Sequence, residues 1–402
     1  MHHLALGLLA CAFLISGAQY SGVGFGHAAM LGVLLYSLFF LRTSVFFILT
    51  VVTLAVLKLV YDYFVTGQLS PNINTYLLFA MNWSAFLLVI KYASRWPTSD
   101  LATILIWCGV LHGGFLIMQF VTFNFIGDLS LLNPLGRFSP NGPDPSTHLP
   151  VPYNPQYQII KRPNGLGWEP SAGGLIQMLA LALLLSRERL WSFRNLLLSA
   201  PILMGGLLTL SVTFWVGVVF LFALRAVSAE GWSISKLRKR FLFLPVLFFG
   251  LVSSPVFDRF DELSREGSSG YARVIAPLIL AKDAVISPMG IEALGFRSFN
   301  DRTVFSQMEG RVERAGIANS FLEFIIYFGA TAVVILVTAT VVAISRWHRW
   351  TFRKRFAIGV CGYGLMFGGY VFNSVALMPL IIFWLASQSE MPPNKLGYTS
   401  NQ

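Results

Sequence analysis

Residues 161–185 read KRPNGLGWEPSAGGLIQMLALALLL: two cations, a Pro-Asn-Gly turn, one carboxylate, then a run almost free of polar side chains. Pro170 marks the start of a helix, because proline is favoured at the first helical position, where no N–H is needed. Lys161, Arg162 and Glu169 therefore stand at the mouth of a long apolar helix. Such a helix asks for an apolar solvent, with the charges at its edge.

The rest of the chain agrees. Of 402 residues, 55% are hydrophobic and only 12% charged, against about 25% charged in a soluble domain. The bilayer is the expected solvent. The stretch 1–18 has the apolar character of a secretory leader but no N-terminal Lys or Arg, so it reads as a retained first span. Cys11, Cys108 and Cys361 all fall in apolar runs, which argues against a disulfide framework and against metal binding by cysteine.

A helix needs about 20 apolar residues to cross the hydrocarbon core. Candidate spans lie near 3–19, 27–41, 43–65, 74–92, 100–121, 170–186, 195–210, 211–226, 241–256, 319–344, 356–372 and 373–388. The pairs 195–226 and 356–388 hold only about 32 residues each, enough for two short or bent helices. Short loops carry the cations: Arg42; Lys91 with Arg95; Arg187, Arg189 and Arg194; the stretch Lys236 to Arg240; and Arg346 to Arg355. The positive-inside rule makes these loops cytoplasmic. Their parity fits a single membrane domain over 1–402, an all-α polytopic integral membrane protein of about 12 transmembrane helices with both termini inside. The net charge of +11 is then topological, and nucleic acid is not an expected partner.

Two large outer loops remain, 122–168 and 257–318. The first is rich in Pro, Asn and Gly, which predicts irregular structure lying on the membrane surface. The second contains SGYARVIAPLILAKDAVISP, 269–288, apolar but too short to span, which suits a helix in the interface.

The outer face thus gathers Lys161, Arg162, Glu169, Arg259, Arg265, Arg273, Arg297, Arg302, Arg311 and Arg314. Arginine offers a planar fork of donors that suits a diphosphate better than lysine does. Arg259, Arg265, Arg297, Arg302 and Arg311 have acids nearby, and exposed pairs of that kind are common and weak. Arg162 and Arg273 lie beside apolar helix starts with few acids next to them, and charge at a membrane edge is costly to hold idle. Glu169 has two readings: a partner for the positive end of the helix dipole, or a base for a sugar hydroxyl. Asn319 reads most simply as a helix N-cap, at a depth that also permits ligand contact. Glu323 follows one turn on. His27 and His112 read as core residues, and His148 sits in a Pro-rich setting as a bystander. No Walker loop, paired metal-ligand spacing, nucleophile elbow or dinucleotide fingerprint occurs. No cofactor or metal is expected, and the substrate must carry its own leaving group, as lipid-linked diphosphate sugars do.

At this point the residues resemble a known family. The 161–185 segment is similar to the R…G…EPS segment of Wzy-type polysaccharide polymerases, the O-antigen and exopolysaccharide polymerases. EGSSGYARVIAPLILAKDAVISPMGIEALGFRSF followed by GIANSFLEFIIYFG resembles their second large periplasmic loop and the following span. The likeness is greatest to polymerases of the colanic acid type and covers mainly residues 155–345. An arginine separated from a glycine by ten intervening residues occurs as Arg162 to Gly173 and again as Arg259 to Gly270. The related O-antigen ligases often carry a His-Asn pair where this chain has Ala318-Asn319, a departure that favours a polymerase.

The resemblance implies a membrane glycosyltransferase of the bacterial inner membrane with a periplasmic active site. It would join undecaprenyl-diphosphate-linked oligosaccharide repeat units into an exopolysaccharide or O-antigen, without metal. Glu169, Arg162 and Arg273 would be catalytic. Lys161, Arg259, Arg265, Arg314, Tyr271 and Asn319 would bind the diphosphate or sugar. Expected partners are the lipid-linked oligosaccharide, membrane lipid, a flippase and chain-length or export proteins. Two alternatives stay open: ligase-type transfer to another acceptor, and transport of a lipid-linked glycan.

Overall fold

The computed structural model describes residues 2–15, 19–20, 23–41, 45–66, 73–96, 100–126, 151–154, 157–166, 170–187, 192–228, 269–291, 319–367 and 374–388. Within them lie twelve helices: α1 (His2–Ile15), α2 (Phe25–Phe39), α3 (Phe46–Thr66), α4 (Ile73–Tyr92), α5 (Leu101–Val121), α6 (Pro170–Leu185), α7 (Phe193–Leu208), α8 (Val212–Ser228), α9 (Ser269–Ala284), α10 (Ser320–Arg346), α11 (Phe352–Phe367) and α12 (Ser374–Gln388). Two small antiparallel hairpins join them, β1–β2 (Gln19–Tyr20, Val23–Gly24) and β3–β4 (Val151–Asn154, Tyr157–Arg162). Among the described residues the expectation of an all-helical fold is thus met apart from these hairpins. The expected span 241–256 lies outside the described residues.

Four helical stretches are long and apolar enough to cross a membrane by themselves: Phe46–Val65, Ile73–Arg95, Leu101–Ile126 and Ser320–Arg349. The other apolar helices are shorter. Sixteen residues, the length of α6, rise about 24 Å against a hydrocarbon core of about 30 Å. The two doubtful pairs each resolve into two helices, α7 with α8 and α11 with α12.

Burial sorts the helices into a centre and a rim. A helix that is apolar on every side belongs inside, and α6 and α12 are such helices. From Met178 to Leu185 every residue of α6 is buried, as is every residue of α12 from Leu377 to Ser387. Around α12 pack α1, α2, α4, α5, α6 and α11. By contrast α3 exposes Leu49, Val56, Leu57, Phe64 and Val65, and α10 exposes Val334, Val337, Val341 and Ile344. These apolar stripes suit lipid contact.

Two glycine contacts set the geometry. A Cβ on Gly205 of α7 would stand only 2.6 Å from the Cα of Gly113 on α5, and Gly113 itself faces the Pro201 carbonyl. Small residues at such a crossing let two membrane helices approach backbone to backbone. In α10, Gly329 adopts φ +53 and ψ −134 and breaks the helix. The freed backbone groups are taken up by the segment after α9: Ala330 N–H donates to Ser287 O at 2.8 Å, Thr331 N–H to Pro288 O at 3.2 Å, and Ile291 N–H to Ile326 O at 3.1 Å. Non-helical backbone at membrane depth survives only where protein satisfies it in this way. The segment predicted as an interfacial helix is helical over 269–284, and its continuation docks into the break in α10.

Candidate active site around the Arg162 segment

The hairpin β3–β4 corrects the irregular-loop expectation for 122–168 over residues 151–154 and 157–162. Val and the aromatic and β-branched residues in VPYN and YQIIKR suit paired strands. The register is Val151 opposite Arg162, Pro152 opposite Lys161 and Asn154 opposite Tyr157. Strand β4 packs on a π-turn, Thr122–Ile126, that ends α5. The chain leaving β4 does not stay on the surface. Arg162, Pro163, Asn164 and Gly165 are all buried, wedged among α5, α6 and the α7–α8 turn.

The surrounding elements hold the segment by named contacts. Arg162, only 6% exposed, donates from Nε to the carbonyl of Thr209 at 2.9 Å. Thr209 is the C-cap of α7, so a cation meets the negative end of a helix dipole and one of its orphan carbonyls. Leu210, next in that turn, sits at φ +47, an uncommon conformation for a non-glycine residue. From α5, Gln119 brackets the segment: Oε1 accepts from Gly165 N–H at 2.8 Å, and Nε2 reaches Gly165 O at 3.5 Å. Two turns earlier on the same face, His112 Nε2 accepts from Leu166 N–H at 3.1 Å. Gln177 of α6 lies 2.7 Å from His112 Nδ1.

Two glycines make room for this. Gly165 has φ +65, and a Cβ there would strike the His112 ring. A Cβ on Gly173 would press on the Asn164 carbonyl at 2.9 Å. The Arg162-to-Gly173 spacing therefore has a structural meaning: the arginine and the glycine that lets its following chain pack on α6 belong to one contact.

The other predicted site residues fall as follows. Lys161 lies in β4, and Tyr271 and Arg273 near the start of α9. Asn319 caps α10, its Oδ1 accepting from Phe321 and Leu322 N–H, each at 3.1 Å; the simpler expectation for it holds, and the cap uses only the oxygen. Glu169, Arg259, Arg265 and Arg314 lie outside the described residues. Gln119, Gln177 and Thr209 were missed. The seven-residue spacing of His112 and Gln119 on one helical face was the available signal.

Sequence reading also missed a second polar cluster. Lys58, fully buried in α3, pairs with Asp62 one turn on at 2.6 Å. Tyr76 of α4 donates to the other oxygen of Asp62 at 2.6 Å, and Lys58 Nζ donates to Met289 O at 2.7 Å. Tyr61 and Ser287 hydroxyls meet at 3.0 Å. The cluster ties α3 and α4 to the segment that fills the break in α10.

No curated protein and no solved structure matches the chain. The model of one protein family, described as WcaD colanic acid polymerase, matches residues 12–386. That match runs through the Arg162 segment, its α5, α6 and α7–α8 holds and the Lys58 cluster alike, and it spans far more than half of the chain. The chain belongs to the WcaD colanic acid polymerase family.

Proposed function

We propose that the protein polymerises undecaprenyl-diphosphate-linked oligosaccharide repeat units at the periplasmic face of the bacterial inner membrane, by metal-independent glycosyl transfer. Family membership implies a polysaccharide polymerase embedded in the membrane. The observation that supports this finer reading is the buried Arg162, delivered by a hairpin to the C-terminal end of α7, with the residues after it held by α5 and packed on α6.

In this reading a hydroxyl on the acceptor unit attacks the anomeric carbon of the growing glycan. The bond from that carbon to the diphosphate oxygen breaks, and undecaprenyl diphosphate leaves with the electron pair. Charge developing on the leaving oxygen needs donors fixed in advance, the role assigned to Arg162 and Arg273, with Lys161, Arg259, Arg265 and Arg314 around them. Glu169 takes the hydroxyl proton. Tyr271 and Asn319 border the sugars. The whole chain acts as one membrane domain, fed by a flippase and followed by chain-length and export proteins.

The transporter alternative calls for an unwound helix lining a water-filled cavity. The break in α10 is instead occupied by Ser287 to Ile291, which favours the enzyme. The test is reconstitution of purified protein with lipid-linked repeat units as sole substrate and a chelator present. Expected is a ladder of longer lipid-linked glycans with one undecaprenyl diphosphate released per joining. A requirement for nucleotide sugar, or release of free glycan without chain growth, contradicts the reading.

A further inference from the structure

Residues 163–166 are held on several sides, yet the one carboxamide in that stretch has nothing to hold. Asn164 is 5% exposed, and its Oδ1 has no hydrogen-bond partner. Buried polar groups are nearly always paired, and an unpaired one costs about 1–3 kcal/mol.

A second carboxamide nearby is in the same position. Gln177 is fully buried, and its Oε1 has no partner. Because Leu166 N–H donates to His112 Nε2, that nitrogen carries no proton and the neutral ring keeps its proton on Nδ1. An Nδ1–H facing Gln177 needs the amide oxygen, so the network places that oxygen toward the ring and leaves the NH₂ over. The two residues border the same ring: a Cβ on Gly173 would lie 2.9 Å from the backbone carbonyl of Asn164 and 3.7 Å from the His112 ring, and Gly173 lies one turn before Gln177 on the same face of α6.

We infer that Asn164, with Gln177 behind it, is a sugar-hydroxyl site beside Arg162. A carboxamide offers a donor and an acceptor side by side, which suits neighbouring hydroxyls of a pyranose better than it suits a diphosphate. Arg162, two residues away, takes the diphosphate. The inference rests on the proposed function and deepens it: the segment reads the first sugars of the lipid-linked unit as well as its diphosphate. The rigidity supplied by Gln119, His112 and Gly165 keeps the amide in place before the sugar arrives, and this lowers the ordering cost of binding.

The structural and binding roles of Asn164 make opposite demands. A structural amide, once replaced, lowers stability. An amide that waits unpaired for a ligand costs stability until the ligand comes, so an apolar residue of similar size leaves stability equal or higher. The experiment uses the full-length protein in detergent with two probes, undecaprenyl diphosphate carrying the oligosaccharide repeat unit and undecaprenyl diphosphate alone. Wild type should bind the glycosylated probe more tightly. In Asn164→Leu the Kd for that probe should rise about tenfold, the worth of one or two buried hydrogen bonds. The Kd for the bare carrier should stay put, and the unfolding midpoint should equal or exceed that of wild type. Asn164→Ala should lose the same sugar preference. A preference that survives in both variants, a wild type with no preference, or a lowered midpoint in both variants overturns the inference. Chain growth by wild type is scored separately: growth with an undiminished preference in the variants sinks the sugar site alone, whereas no growth with the preference lost in the variants sinks the polymerase reading alone.

Discussion

Two of the buried cations among the described residues, Lys58 and Arg162, tie helices together on different plans. Lys58 carries its counter-charge on its own helix, in Asp62 one turn away, and reaches outward to the Met289 carbonyl. Arg162 comes from outside the bundle, on a hairpin, and meets the end of a helix through the Thr209 carbonyl. The first plan makes a self-contained rivet between α3, α4 and the segment that fills the break in α10. The second makes a delivered side chain whose position depends on every element that grips residues 162–166. Removing the rivet should therefore harm the fold, and disturbing the delivered arginine should harm activity at nearly constant fold.

The largest loss of stability should come from splitting the rivet. Lys58→Met or Asp62→Leu alone leaves a buried charge without its partner and should cost about 3–5 kcal/mol. The double variant Lys58→Met/Asp62→Leu should recover most of that loss, because no charge remains buried. Thermal unfolding of purified protein reads the three values. Losses that simply add would mean that the two residues are not coupled, and the contrast with Arg162 would vanish.

A smaller effect should follow at His112, which grips the Arg162 segment. His112→Leu keeps bulk but removes the acceptor for Leu166 N–H, a loss of about 1–3 kcal/mol in local stability. His112→Gln can place an amide oxygen near the position of Nε2 and should recover part of both stability and chain growth. Polymerisation rates at equal protein amounts, read with the unfolding midpoint, make the check. If Leu and Gln behave alike, the acceptor is irrelevant and only packing counts there.

Asn319 should show the smallest effect. As a cap alone, Asn319→Ala should lose about 0.5–2 kcal/mol and Asn319→Asp or Asn319→Ser almost nothing. Chain growth that falls with Asn319→Ser, at an unchanged midpoint, would give the residue the substrate contact that its cap does not require.

How much of this was legible in the sequence varies with the physics involved. The apolar runs gave α1 through α8 and α10 through α12 nearly in place, since burial in lipid leaves a plain signature. The strand-forming residues of YQIIKR stand in a Pro- and Asn-rich setting that masks them, so the β3–β4 hairpin reads as irregular chain. Arg162 stood out because a cation beside an apolar helix start is conspicuous. Its partners did not: Thr209 acts through its carbonyl, which any residue has, and Gln119 through an amide whose target lies 46 residues away. Lys58 and Asp62 lay inside a span that the hydropathy of their neighbours carried, and only their four-residue spacing could have exposed them.

The measurement that bears most directly on the proposed site is chain growth by Arg162 variants. Wild type, Arg162→Ala and Arg162→Lys are reconstituted in equal amounts with lipid-linked repeat units, and folding is checked by the unfolding midpoint. Arg162→Ala should give no polymer and accumulate single units while remaining folded. Arg162→Lys should recover little, because an ammonium lacks the planar fork of donors. Normal chain growth by folded Arg162→Ala would remove the arginine from the chemistry and leave it a second rivet, built like Lys58 to hold helices together.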